Sequence, residues 1–140
     1  MAKKTKKETN IICVGKRKKA VARAVIKKGT GKIRINKKPL DFFDNYKKLR
    51  INEAILLAEN AAKEVDISVT VTGGGAWGQV DAARTAIANA ILQYSKNPEL
   101  RKTYVAYDRS LLISDPRRTE QHKPSRSSKG PRRGKQQSKR

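Results

Sequence analysis

The sequence predicts an α+β fold, with four short strands and two helices in one body and a basic extension at each end. Three observations carry that expectation. Val65, Ile67, Val69 and Val71 alternate with Asp66, Ser68, Thr70 and Thr72, the pattern of a strand with one buried face. Downstream, Ala82, Ala83, Ala86, Ile87, Ala90, Ile91 and Tyr94 recur at helical spacing, as one apolar stripe. Charge is segregated: residues 1–50 hold 18 Lys/Arg against 3 Asp/Glu, residues 51–100 hold 3 against 6, and residues 101–140 hold 13 against 3. The chain therefore divides into a basic arm (residues 1–10), a body (11–113) and an extended basic tail (114–140).

A net charge of +22 on 140 residues repels itself and suits a polyanionic partner. It argues against a free metabolic enzyme. No apolar run reaches the ~18 residues of a membrane span, and no signal peptide is recognisable. The single Cys13 excludes an intramolecular disulfide and points to a reducing compartment.

In order, Met1–Asn10 carries Lys3, Lys4, Lys6 and Lys7 and reads equally as a mobile basic arm or a solubilising terminus. Ile11–Val14 is a strand, with Cys13 in it as a small hydrophobe. Gly15-Lys16-Arg17-Lys18-Lys19 interrupts the pattern. A second strand, Ala20–Lys27, puts Ala20, Ala22, Ala24 and Ile26 on one face and Val21, Arg23, Val25 and Lys27 on the other. Gly29-Thr30-Gly31 is a turn, and Lys32–Asn36 alternates with Ile33 and Ile35 inward. These two strands are expected to form a hairpin whose outer side displays Lys and Arg. With almost no acids between them, those cations point to RNA rather than to a merely solvated face. Pro39–Phe43 is a turn or short helix, and a helix runs from about Leu49 to Lys63.

The strand Val65–Thr72 leads into Gly73-Gly74-Gly75, where the backbone is free to take φ > 0 and to gather N–H groups before a helix N-terminus. That helix, about residues 79–95, would be roughly 25 Å long and is stopped by Asn97-Pro98. Its alanines imply a very close approach to the layer beneath. Leu100, Tyr104, Val105, Tyr107 and Leu111–Ile113 make a short helix and a strap. After Ile113 there is no apolar residue, so the tail is expected to order only on RNA.

Gly73-x-Gly75-x-x-Gly78 matches the dinucleotide fingerprint literally, and Tyr104–Asp108 could pose as the second strand with its acid. Asp81, in the first helical turn, would repel a pyrophosphate. No Gly-Lys-Ser/Thr follows the glycines, one Cys and one His122 cannot build a zinc site, and no nucleophile–base pair is suggested. No catalytic residue, metal or cofactor is therefore expected. The residues read as RNA-facing are Lys16, Arg17, Lys18, Arg23, Gly73, Gly74, Gly75 and Gln79 in the body, and Arg117, Arg118, Arg126, Lys129, Arg132, Arg133 and Lys135 in the tail. A nucleotide enzyme and a chromatin-type DNA binder are the competing readings.

Several segments resemble the universal family of small-subunit ribosomal protein nine. Gly15-Lys16-Arg17-Lys18 with Ala22-Arg23 resembles its basic opening, and Gly31-Lys32-Ile33-x-Ile35-Asn36 with Leu40 its hairpin. Gly73-Gly74-Gly75-x-x-Gly78-Gln79-x-x-Ala82 is similar to its signature, and Gln137-Ser138-Lys139-Arg140 to its terminus. Leu111–Arg118 resembles the archaeal and eukaryotic branch, while Asn89 stands where the family usually carries Lys or Arg. The resemblance implies a mixed sheet with two helices on one face and a left-handed βαβ crossover. It also implies a cytoplasmic ribosomal protein in the head of the small subunit. The implied partners are small-subunit ribosomal RNA, neighbouring head proteins, and peptidyl-site transfer RNA contacted by Ser138, Lys139 and Arg140.

Overall fold

The computed structural model describes residues 10–119 and 121. A mixed sheet of five strands is covered on one face by helices. The strands are β1 (Ile11–Arg17), β2 (Ala20–Lys28), β3 (Ile33–Ile35), β4 (Lys38–Pro39) and β5 (Val65–Thr72), in the spatial order β1-β2-β5-β3-β4. The helices are α1 (Asn45–Leu56), α2 (Glu59–Lys63), α3 (Ala76–Ser95) and α4 (Pro98–Tyr107), with short 3₁₀ turns at Leu40–Phe42 and Arg109–Leu111.

The alternation predicted for the strands decides the buried face. Ala20, Ala22, Ala24 and Ile26 of β2, Val65, Ile67, Val69 and Val71 of β5, and Ile33 and Ile35 of β3 all point into the core. The α3 stripe of Ala82, Ala83, Ala86, Ile87, Ala90 and Ile91 closes over them, while Tyr94 is only half-buried. The expected close approach is visible at Gly15. A Cβ there would fall onto the Ala82 carbonyl oxygen and within 2.7 Å of the Ala86 nitrogen. Gly15 therefore does not interrupt the first strand, as the sequence reading had it. β1 runs through Gly15 to Arg17, and the missing side chain lets α3 sit on it.

The expected hairpin between residues 20–27 and 32–36 is not formed. β2 pairs antiparallel with β1, from Ile11 opposite Ile26 to Arg17 opposite Ala20, and with β5 on its other edge. β5 is inserted between β2 and β3, and it runs parallel to β3 with Ile33 opposite Ile67. The turn at residues 29–31 is tied to β5 instead of closing a hairpin. The Gly29 amide donates to the Glu64 carbonyl at 2.9 Å, and the Thr30 and Lys32 amides donate to the Asp66 carboxylate at 2.8 and 2.9 Å. These hydrogen bonds hold Asp66 below the usual carboxylate range, that from Lys32 contributing most.

A parallel neighbour needs a crossover, and α1 and α2 supply it, so the helix expected at about 49–63 is two helices. The fifth strand was missed because it is two residues long. Asn36 and Lys37, at φ +49° and +68°, make a two-residue turn that folds Lys38–Pro39 back on β3. Four helices stand where two were expected on the sheet: one is split into α1 and α2, and α4 with its strap is the short helix and strap expected from Leu100 onward, the strap packing on α3 and Tyr104 of α4 reaching Ala54 of α1.

Candidate nucleic-acid interface

One end of the molecule gathers the β1–β2 turn, the glycine loop, the start of α3 and the root of the tail. Positive φ is needed at two of the three glycines. Gly73 (φ +74°) lies against the Lys19 carbonyl, where a Cβ would meet the oxygen at 2.6 Å, and Gly74 (φ +68°) against the Ala20 nitrogen at 2.8 Å. Gly75 departs from expectation. Its φ is −96° and open space surrounds its Cβ position, because it is the residue from which α3 starts. Gln79 donates from Nε2 to the Gly73 carbonyl at 3.1 Å, so it braces the loop. α3 starts at Ala76 and not near residue 79, so Asp81, expected in the first turn, lies beyond it and the first turn holds no acid. Among the described residues no side chain caps α3, and its first amides adjoin the exposed Trp77.

The tail root is pinned to this end. Asp115 accepts from the Arg117 backbone amide at 2.8 Å and from its guanidinium at 2.6 and 2.9 Å, and it also pairs with Arg17. The Arg117 hydrogen bonds hold the Asp115 carboxyl well below the usual range. Arg118 donates to the Lys18 carbonyl. Arg17 is turned inward, with Asp81 of α3 at 3.7 Å as a second acid. Lys16, Lys18 and Lys19 stand exposed beside it, and Lys18 occupies the turn at φ +53°.

Beneath lies a network that the sequence reading did not single out. Arg84, 2% exposed, pairs with Glu53 of α1 and reaches Asp108 at 2.8 Å and the Ser110 hydroxyl at 2.7 Å. Burial opposes ionisation of Asp108, but hydrogen bonds from Ser110 and Arg84 outweigh it and keep its carboxyl below the usual range. Thr85 donates to the Ser110 carbonyl at 3.2 Å and Asn89 to the Leu112 carbonyl at 3.1 Å, so three residues of α3 hold the strap that delivers the tail. A signal was present: Arg84 is the only cation of α3 and lies four residues from both Val80 and Ala88, on the buried face.

The structure thus brings Lys16, Arg17, Lys18, Gly73, Gly74, Gly75, Gln79, Arg117 and Arg118 together. Arg23 lies apart, exposed on the uncovered face of the sheet, opposite Val14 of β1 and Thr70 of β5. Arg126, Lys129, Arg132, Arg133, Lys135, Ser138, Lys139, Arg140 and His122 lie outside the described residues, as does the arm at residues 1–9. Tyr104–Asp108, the would-be second strand of a dinucleotide fold, is the end of α4, with the Tyr104 hydroxyl buried and donating to the Ala54 carbonyl at 2.7 Å. Cys13 is also structural: its thiol donates to Gln93 Oε1 at 2.8 Å, and burial raises its pKa. Among the described residues no group of three or more His, Cys, Asp or Glu could hold a metal, and no helix is long and apolar enough to cross a membrane.

The sequence profile of the family described as "Ribosomal protein S9/S16" matches residues 15–140. Proteins named "Small ribosomal subunit protein uS9" are close relatives. That of Methanococcus maripaludis strain C5 is 51% identical over 126 residues, covering 89% of this chain and 94% of the relative. That of Methanococcus vannielii has the same identity and coverage.

Proposed function

This chain belongs to the ribosomal protein S9/S16 family, and from that premise we propose that it is a structural, non-enzymatic constituent of the small ribosomal subunit that binds ribosomal RNA in the subunit head. It works in the cytoplasm as part of the ribosome, beside other head proteins. The observation that supports this reading best is the convergence at one end of Lys16, Lys18, the glycine loop and the Arg117–Arg118 tail root. Exposed cations there neutralise backbone phosphates, and the uncapped start of α3 offers amides to another. The close backbone packing of Gly73 and Gly74 keeps that surface low, so an RNA backbone can approach it.

In the same reading residues 1–10 are an arm, 11–113 the body and 114–140 a tail that follows RNA through Arg126, Lys129, Arg132, Arg133 and Lys135. Ser138, Lys139 and Arg140 end the tail on phosphates of peptidyl-site transfer RNA, contacts that read no sequence. The β3–α1–α2–β5 crossover is left-handed in this reading, against the usual rule.

The test is filter binding of the full chain to protein-free small-subunit ribosomal RNA and to duplex DNA over a salt series. Preference for the ribosomal RNA with a steep salt dependence supports the reading. Equal binding to duplex DNA favours a chromatin-type protein and overturns it. For the tail tip, subunits carrying a chain without residues 138–140 should assemble normally and retain all transfer RNAs several-fold more weakly, whereas equal retention would sink that part.

A further inference from the structure

The outer face of α1 is apolar where a surface helix is ordinarily polar. Tyr46, Leu49 and Leu56 are 64–77% exposed, and spacings of three and seven residues set them in one stripe along the helix. Phe42, in the 3₁₀ turn before α1, is exposed as well. Together they leave on the order of 500 Å² open, near the upper end of the apolar patch on a lone protein. Beside the stripe runs a groove of about 400 Å³ between α1 and the β3–β4 edge of the sheet, with Pro39, Leu40, Lys48, Asn52 and Ile55 in its walls. Asn52 is three residues from Leu49 and four from Leu56, so the stripe forms the rim of the groove.

Charge decides what can cover this face. Residues 41–59 hold four acids and three bases, a net charge of −1 in a chain of +22. All three bases are already paired: Lys47 with Asp44, Lys48 with Asp41 and Arg50 with Glu53. At the margin the acid is the more exposed partner, Asp41 at 81% against 36% for Lys48. Glu59 is exposed three residues beyond Leu56. A nucleic acid finds no free cation on such a face and is repelled by its margin. A second copy of this chain would bring another +22 against the first. The chain's own basic ends lack the means to fill the groove, since the tail after Ile113 has no apolar residue and the arm has only Met1 and Ala2. The occupant that fits is another protein, one that presents apolar side chains with Lys or Arg at their margins.

We propose that the outer face of α1, with the groove beside it, is the docking surface for one basic protein neighbour in the assembled subunit. Leu49 and Leu56 are buried by that neighbour's apolar side chains, one of which enters the groove between α1 and β3–β4. Asp41, Asp44 and Glu59 meet its flanking cations and set its register along the helix. The molecule then divides its surface, with RNA at the tail-root end and protein on α1. The inference rests on the ribosomal reading above, and its test separates the two. Small subunits are reconstituted from ribosomal RNA and purified subunit proteins, using the full chain with p-benzoylphenylalanine in place of Leu49. Irradiation is expected to join this position to one other subunit protein, at a peptide whose apolar residues are flanked by Lys or Arg. Crosslinks to ribosomal RNA, to a second copy of this chain or to its own arm or tail overturn the proposal, as does the lack of any protein crosslink.

Leu49→Ser with Leu56→Ser is then expected to bind protein-free small-subunit ribosomal RNA with wild-type affinity and salt slope. Both side chains are exposed, so its thermal melt should match the wild type. In reconstituted subunits the same variant should retain the crosslinked neighbour about fivefold to tenfold more weakly through a salt wash, because two buried anchors are lost. Tyr46→Ser alone, with a smaller loss, keeps the test valid if the double variant folds poorly. Full retention of the neighbour, or an equal loss of affinity for the bare RNA, overturns the docking surface. A wild-type chain that neither binds the RNA nor enters the subunit overturns the ribosomal reading itself. A chain that does both while residue 49 meets no protein overturns the docking surface alone.

Discussion

The tail-root end and the open sheet face are both rich in arginine, and they use it differently. At the tail root Arg17 faces Asp81 and Asp115, Arg50 faces Glu53 and Asp81, Arg84 faces Glu53 and Asp108, and Arg117 faces Asp115. On the sheet face Arg23 and Arg34 sit among Ser68, Thr70 and Thr72 and have no ion pair among the described residues. A buried guanidinium matched by internal carboxylates, as at Arg84, builds the protein, whereas an exposed one keeps its charge for a partner, whether unpaired like Arg23 or pinned at the tail root like Arg117. In a chain of net charge +22 acids facing a buried arginine therefore mark where arginine is structural.

The largest effect should come from Arg84. Arg84→Leu strands Glu53 and Asp108 without their cation and should destabilise by about 3–5 kcal/mol. Arg23→Leu, at an exposed strand position, should change stability by less than about 0.5 kcal/mol. Urea titrations of both variants check this, and equal effects would erase the distinction between the two kinds of arginine.

The glycines sharpen the comparison next. Gly15→Ala drives a methyl into the α3 backbone, and Gly74→Ala adds a Cβ at φ +68° beside the Ala20 nitrogen. Each should cost about 1–3 kcal/mol, whereas Gly75→Ala should stay within about 0.5 kcal/mol. Thermal melts decide, and a Gly75 variant as unstable as the other two would place a packing constraint at the helix start.

Acid should loosen the tail-root end. Asp108 and Asp115 have folded pKa values below their unfolded ones, so the stability they give is present above about pH 4 and is lost as pH falls through the folded values. Asp108→Asn should therefore be less stable than wild type at pH 6, with the gap narrowing at pH 3. A gap of constant size at both pH values would mean that the Arg84–Asp108 pair does not depend on charge.

The smallest effect concerns salt. Lys16→Gln and Lys18→Gln should each remove roughly 0.7–0.9 from the slope of RNA affinity against salt. Arg17→Gln should remove less, because Asp81 and Asp115 already neutralise it. A full phosphate's worth of slope lost with Arg17 would mean that RNA displaces those carboxylates.

The sequence by itself determined which strand faces are buried and that α3 carries a buried apolar stripe, but not that Arg84, Thr85 and Ala88 on its other side are buried too. The alternation in residues 20–26 and 65–71 and the alanines of residues 82–90 do not depend on which neighbours they meet, because burial selects side chains position by position. The glycine loop was legible as well, since runs of glycine are punctuation in any fold. Tertiary structure alone decided the strand order, with β5 pushed between β2 and β3, because alternation specifies a strand's face and not its partner. It also divided labour among like residues. Gly15 and Gly74 turned out to be constrained and Gly75 free, and Arg84 and Arg17 paired while Arg23 stayed open. Those roles depend on groups as far apart in the chain as Lys18 and Arg118, and no local pattern records what folding will bring within hydrogen-bonding distance.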